Sequence, residues 1–245
     1  IWTIGGRQAG KLAGLDYRGE YYYQWGSANG QQDVAVTAGN RAQDADRSAY
    51  MFGLRVGKTF NNVSFKPGVT LWYDYLSGTD DEDQRSGQWN SFNTLFDTGH
   101  KFYGLQDVFL GIGGGGNTGT QGLGLQDLAV KTKINPMPGW TFKVDYHWFW
   151  TAESVAANTS TRAFASAVGN RGGNVLDNNL GTELDITAVT KMNANTKVMI
   201  GYSHYDATRN FFALKNTGTF NNDTTPLFPG TDDADWAYVQ FDVKF

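Results

Sequence analysis

Alternation of apolar and polar residues at every second position constrains this chain more than any other feature. In the segment 15–25, aromatic residues such as Tyr21 and Trp25 occupy odd positions, whereas charged residues such as Arg18 and Glu20 occupy even positions. Successive side chains of a β-strand point to opposite faces. The segment therefore predicts a strand with one aromatic face and one charged face.

The pattern returns in segments of about ten residues, the length that a tilted strand needs to cross a bilayer. Predicted strands cover residues 1–8, 14–26, 48–60, 63–76, 125–134, 140–152, 180–192, 196–206 and 235–245. No apolar run approaches the roughly 18 residues of a membrane helix. Because backbone groups in hydrocarbon must be paired, spanning strands must close into a barrel. We predict an all-β fold, an antiparallel transmembrane β-barrel that forms a single domain over 1–245.

Composition supports this fold class and excludes several functions. Aromatic residues make up 15% of the chain, with 31 Gly and a mean hydropathy of -0.44, which suits strands between lipid and water. The absence of Cys excludes disulfides, Cys-based metal sites and thiol nucleophiles. A net charge of -4 argues against nucleic acid as a partner. We expect no cofactor.

Short and long connections alternate along the chain. Short turns are predicted at 8–13, 61–62, 135–139 and 193–195, and long polar connections near 27–48, 77–123, 153–178 and 207–233. Outer-membrane barrels place short turns on the periplasmic side and long loops outside. The alternation predicts a bacterial outer-membrane location, with Phe245 on the periplasmic side.

The strand number predicts a barrel larger than this chain. About nine strands are visible, whereas single-chain bacterial barrels close with an even number. A tenth strand near 102–110 is one explanation, and a chain that forms the C-terminal part of a larger barrel is the other. We favour the second, because one extra strand at 102–110 would break the alternation of turns and loops. Ile1 is then a processed or truncated end, since an exported protein needs a targeting segment.

Motifs spread over the chain resemble the alginate-export family of outer-membrane porins. They are Gly14-Leu15-Asp16-Tyr17 with Glu20, Gln24-Trp25-Gly26, the runs 73–81, 92–96, 100–107 and 180–185, Gly201-Tyr202-Ser203-His204 and Asp235-Trp236-Ala237-Tyr238. The resemblance implies an about eighteen-stranded barrel, of which this chain would be the C-terminal half. It also implies export of an acidic polysaccharide through a pore lined with basic side chains.

Alternation places charged side chains of both signs on the water-facing side of the strands. The predicted pore-lining residues are Arg7, Arg18, Glu20, Arg55, Lys66, Asp74, Lys131, Lys143, Asp145, Glu183, Asp185 and Lys197. Basic rings favour anions and acidic rings favour cations. Because the two signs nearly balance, two interpretations stay open: salt-bridge ladders along a wet lumen, or an anion track through Arg7, Arg18, Arg55 and Lys143.

The segment 77–123 is predicted to be a long extracellular or constriction loop. It combines an acidic run at 80–83, an aromatic stretch over 92–109 and four glycines at 113–116 that allow sharp bends. Either it folds into the lumen and narrows the pore, or it covers the mouth. The carboxylates at 80–83 suit calcium, but their spacing is not that of an EF-hand, so we favour a solvated loop.

The three histidines, His100, His147 and His204, predict neither an enzyme nor a metal site. Ser203 precedes His204, but adjacent strand residues point to opposite faces and cannot pair as nucleophile and base. The spacing of the histidines defines no shared face for zinc ligands. We expect no catalytic residue and no bound metal.

The C-terminal strand carries a signal of its own. Phe241, Val243 and Phe245 continue an apolar alternation that begins at Val239. An aromatic final residue after such alternation resembles the signal that the outer-membrane assembly machinery recognises. We therefore expect contacts with outer-membrane lipid and with that machinery.

Together these features predict an outer-membrane porin or export channel for a polar solute, including an anionic polysaccharide such as alginate. The alternative is a structural barrel that sheathes or anchors a partner protein, in or under the barrel. Both share the strand pattern and differ in what fills the lumen.

Overall fold

The computed structural model describes residues 1–28, 45–80, 83, 86–95, 100, 102–110, 119–120, 122–154, 178–208, 211 and 233–244. These residues form a β-sheet with almost no helix. The strands are β1 (Trp2–Leu12), β2 (Leu15–Ala28), β3 (Ala45–Thr59), β4 (Gly68–Leu76), β5 (Gln88–Trp89), β6 (Leu125–Ile134), β7 (Trp140–Trp150), β8 (Asn179–Lys191), β9 (Thr196–Ala207) and β10 (Asp233–Val243). No helix in the described ranges is long and apolar enough to cross a membrane.

Nine strands form a wall in chain order, in which each strand is antiparallel to the next. The short strand β5 lies off this path and pairs in parallel with β3. The predicted all-β antiparallel fold is confirmed. The wall is open, because β1 and β10 are its two ends and do not pair with each other among the described residues. Since eight antiparallel pairings separate these strands, they run in the same direction.

Two predicted boundaries are corrected. Strand β1 continues to Leu12, so the first turn lies at 13–14 instead of 8–13. Strand β4 begins at Gly68 rather than at 63, because Phe65 and Lys66 have positive φ angles of 65° and 44°, and Pro67 has no N–H to donate to a ladder. The described backbone over 102–110 turns and forms no strand, in agreement with the interpretation favoured from the sequence.

The cross-strand register gives the wall two distinct faces. On one face, named the polar face, Glu20 lies opposite Gly53, which in turn lies opposite Asp74, and Asp74 lies opposite Asp127. On the other, named the apolar face, aromatic rings stack across neighbouring strands. Tyr75 lies 5.3 Å from Phe52 between ring centroids. The predicted alternation therefore holds across strands as well as along them.

The buried core lies on the polar face. Phe109 belongs to the connection between β4 and β6 and is fully buried. Its ring packs against Phe149 of β7 at 4.6 Å and against Tyr205 of β9 at 6.1 Å between centroids. The large side chains of the apolar face stay exposed, as Leu71 and Ile200 show. The connection, rather than a second sheet, thus covers the inner side of the wall.

This arrangement predicts opposite outcomes for two neighbouring substitutions in β9. Ile200→Lys places a charge on the exposed apolar face, and a lysine at the bilayer midplane of a barrel costs about 2–4 kcal/mol. Met199→Lys places the same charge on the polar face and should cost much less. Equilibrium unfolding of the protein refolded in lipid vesicles measures both free energies, and equal losses would contradict the assignment of the faces.

Candidate functional site

The described parts of residues 88–110, named the inner segment, cross the polar face of the wall. One end is fixed to β2 and β3. Gln24 donates to the carbonyl of Asn93 at 2.7 Å and accepts the Asn93 N–H at 2.8 Å. Arg47 donates to the carbonyl of Ser91 at 2.8 Å. Because Gln24 and Arg47 are buried, these contacts are shielded from water.

The other end of the inner segment is fixed to β8 and β10. The backbone N–H groups of Leu105 and Gln106 both donate to Oε1 of Glu183, at 2.7 and 2.9 Å. The Gln106 amide donates to the carbonyl of Ala234 at 2.9 Å. The imidazole of His100 stacks on Trp236 with 5.0 Å between centroids. The inner segment therefore spans most of the width of the wall.

Arg55 is the centre of a buried ion-pair cluster beneath the inner segment. Its guanidinium contacts Glu20 and lies 3.0 Å from a carboxylate oxygen of Asp74. Arg18 pairs with the same Glu20 at 2.8 Å. The Trp72 indole donates to Asp74 at 2.9 Å and lies 3.8 Å beneath the Arg55 guanidinium. The cluster balances two arginines with two carboxylates.

A second cluster surrounds His147, which is fully buried on β7. Nδ1 of His147 lies 2.8 Å from Asp127, and Nε2 lies 3.0 Å from the Lys131 ammonium. Both ring nitrogens therefore have a polar partner on β6. Lys131 also donates to Asp145 at 3.0 Å. The histidine thus links an acidic and a basic side chain.

The carboxylates and the cations of the polar face differ in exposure. Asp74, Asp127, Glu183 and Asp185 are all buried. Lys133 and Lys143, which lie nearer the short turns, are exposed. They line a cavity of about 440 Å³ together with Arg18 and Lys131. The accessible part of the face near the short turns is therefore mainly basic.

A second cavity of about 380 Å³ lies between the first four strands and the inner segment. Its walls include Tyr22, Met51, Phe92 and Phe102, and the first ion-pair cluster forms part of its lining. Tyr103 also lines it, and burial raises the pKa of the Tyr103 hydroxyl well above its usual range. This cavity is more apolar than the first and is partly closed by the inner segment.

The register brings most of the predicted charged residues to one face. Arg18, Glu20, Arg55 and Asp74 meet in the first cluster. Lys131 and Asp145 belong to the second, whereas Asp185 accepts a hydrogen bond from Ser203 at 2.5 Å. Lys143 is exposed, and Lys197 pairs with Asp242 at 3.2 Å. Arg7 lies opposite Glu20 in the register, whereas Lys66 lies in a turn outside the strands.

Sequence reasoning missed three residues that organise the site: Gln24, Trp72 and His147. Each lies at an alternate position that the register places on the polar face. Their parity was therefore a usable signal, but they carry no fixed charge and were passed over. Their roles depend on partners in other strands or in the inner segment.

Ser203 and His204 point to opposite faces. Ser203 donates to Asp185 on the polar face, whereas His204 contacts Asp235 at 2.9 Å on the apolar face. No group of three His, Cys, Asp or Glu side chains that could hold a metal exists among the described residues. Of the acidic run, Asp80 accepts the N–H of Asp83 at 2.7 Å, and residues 81–82 lie outside the described ranges.

In the C-terminal strand, Phe241 and Val243 are exposed on the apolar face. Phe245 lies outside the described residues. Recognition of this strand by the assembly machinery stays a prediction.

An antiparallel wall with one apolar face, one charged face and short turns at one end has the architecture of part of a membrane β-barrel. The family model described as alginate export matches residues 1–217. The chain therefore belongs to the alginate-export family, a family of outer-membrane export channels, and the resemblance found in the sequence is confirmed. No curated protein matches the chain.

The first cluster predicts a large loss of stability for Arg55→Met. This substitution leaves Glu20 and Asp74 buried without their shared cation, and breaking a buried pair in this way costs about 3–5 kcal/mol. Lys11→Met is the matched control, because Lys11 and its partner Asp16 are largely exposed, at 81% and 54%. Unfolding in lipid vesicles should show a large loss for the first variant and little change for the second. Similar stabilities would contradict a structural role for the cluster.

Proposed function

We propose that this chain forms part of the wall of an outer-membrane channel that exports an anionic polysaccharide, with alginate as the expected solute. The observation that carries this proposal is a pair of lysines. Lys133 and Lys143 lie directly opposite each other in the register, and both are exposed. Within the described part of the chain neither has an ion pair. Like charges directly opposite each other destabilise a sheet. An anionic ligand bound at the two lysines would reduce their mutual repulsion, so the pair is suited to contact an anionic solute.

The neighbouring charges support an anionic solute. Asp16 and Asp145 line the same cavity as the lysine pair, but each pairs with a lysine of its own, Lys11 or Lys131. The buried carboxylates contribute less, because they lie beneath the inner segment among their own partners. A cleft in which one sign of charge dominates attracts ligands of the other sign, and basic rings favour anions in pores.

The inner segment narrows the lumen of the proposed channel. Its contacts with Gln24 at one end and Glu183 at the other hold it across the polar face. Its rings cover part of the wall, as Phe109 does against Phe149. A polymer that passes along the polar face must therefore pass beside this segment.

Closure of the channel requires strands beyond the nine-stranded wall. Because β1 and β10 run in the same direction, antiparallel closure requires an odd number of further strands between them. The open edges thus support a larger barrel, of which this wall is one part. The exposed Phe241 and Val243 on β10 suit recognition by the assembly machinery.

The lysine pair predicts the ion selectivity of the reconstituted protein. Replacing both lysines in Lys133→Glu/Lys143→Glu should shift the reversal potential in a salt gradient toward cation selectivity, because the charge at the cavity changes sign. Asp235→Lys is the control, since Asp235 contacts His204 on the apolar face and is not part of the lining of this cavity, so it should leave the reversal potential unchanged. An unchanged potential in the double variant would contradict the role of this cavity in selection.

The solute is tested by blockade of the ionic current. Alginate oligomers added to the short-turn side should interrupt the current of the wild-type channel, and neutral dextrans of similar size should do so far less. The double lysine variant should lose the blockade by alginate. A protein that conducts no current until a bound partner is removed would favour the structural barrel instead.

A further inference from the structure

We propose that Glu183 is the positioning residue that keeps the inner segment folded across the pore and thereby sets the pore width. This inference rests on the proposed channel function. It concerns a residue that does not contact bulk solvent, because the Glu183 side chain is fully buried. Its role is therefore to hold the backbone that the solute passes, rather than to bind the solute.

The geometry of Glu183 is that of a backbone anchor. One carboxylate oxygen, Oε1, accepts the consecutive N–H groups of Leu105 and Gln106 at 2.7 and 2.9 Å. Two consecutive peptide groups are therefore fixed to the same oxygen atom of β8. Within the described part of the chain the second oxygen, Oε2, has no hydrogen-bond partner. The backbone N–H groups of Leu105 and Gln106 thus share a single oxygen atom.

The inner segment is shaped to reach that oxygen. Gly104 has a φ of +85°, and a Cβ atom at this position would collide with the Glu183 carboxylate. Tyr103 and Asp107 also have positive φ angles, of 60° and 58°. The turn between them is closed by a hydrogen bond from the N–H of His100 to Asp107 at 2.7 Å. The positive φ angles around Gly104 thus direct the N–H groups of Leu105 and Gln106 toward Oε1 of Glu183.

Loss of the acceptor would release residues 105–106 from β8 and leave the contacts with β2 and β3 in place. Without Glu183, the N–H groups of Leu105 and Gln106 would be buried without a partner, which is costly. These N–H groups could form hydrogen bonds with water if the backbone at Leu105 and Gln106 moved away from the wall. The Gln24–Asn93 contacts at the other end do not involve Glu183 and would persist. Residues 104–106 would therefore move away from β8, while the segment stays attached to β2 through Asn93 and to β7 and β9 through Phe109.

The test compares Glu183→Ala with Glu183→Gln in the intact outer-membrane protein. Alanine removes the acceptor, so the single-channel conductance should rise by roughly twofold or more as the lumen widens. Glutamine cannot ionise but keeps an amide oxygen that accepts both N–H groups, so its conductance should match that of the wild type. Asp235→Ala removes a carboxylate from the outer side of β10 and should also leave the conductance unchanged.

A cross-link separates movement of the segment from a change of charge. The chain contains no Cys, so cysteines placed at Gln106 and Ala234, which are in contact in the wild type, can be joined by a short bifunctional thiol reagent. In the Glu183→Ala background the yield of the cross-link should fall. In those molecules that do react, the conductance should return to the wild-type value.

Each outcome bears on a different claim. A rise in conductance with both Glu183 variants would show an effect of charge and overturn the positioning role, as would an unchanged conductance in Glu183→Ala. A high conductance that persists after cross-linking would overturn it too. If the wild type itself conducts no current, the proposed channel function fails. The yield of the cross-link then still decides whether Glu183 holds the segment, since equal yields would overturn that claim.

Discussion

The cross-strand register is the constraint on which the rest of this structure depends. Because side chains alternate between faces, a shift of one residue in any strand would move its charged side chains to the lipid side and its aromatic ones inward. The register places Glu20, Gly53 and Asp74 in one row, with Arg55 one step away on the same face. The ion pairs follow from that placement, and their burial in turn disfavours any other register, since a slipped strand would leave a buried charge unpaired.

The inner segment covers part of the polar face and shields its charged side chains from water. A sheet exposed to water on one face would leave its ion pairs solvated and weak. Here the aromatic residues of the connection cover Arg55 and its partners, while Lys133 and Lys143 remain exposed near the short turns. The sequence contains nearly equal numbers of acidic and basic residues on the polar face, but the two signs of charge differ in exposure along that face. Most acidic side chains of the polar face are buried in the wall, whereas Lys133 and Lys143, which have no ion pair in the described ranges, lie at the accessible end.

The parts of the fold that depend on neighbouring residues could be predicted from the sequence, and the parts that depend on distant pairs could not. Alternation identified nine wall strands and the faces of Arg55 and Asp74. It failed at Lys66, because local turn geometry before Pro67 interrupts the strand. The anchors of the inner segment join residues 69 and 78 positions apart, and no local pattern marks Gln24 or Glu183 as the partner of a particular backbone group. The role of Glu183 therefore needed the folded structure.

The same segment connects the selectivity of the proposed channel with the construction of its wall. Its contacts reach from β2, which lies next to one open edge, to β10, which is the other edge. Strands that complete a barrel must pair with β1 and β10. They would then enclose the lumen on the side opposite the described wall. The free passage is then bounded by these strands on one side and by the inner segment on the other. In the proposed channel the width of the pore would thus depend on how firmly the segment is held to the described wall, to which the buried Glu183 fixes residues 105–106 at β8.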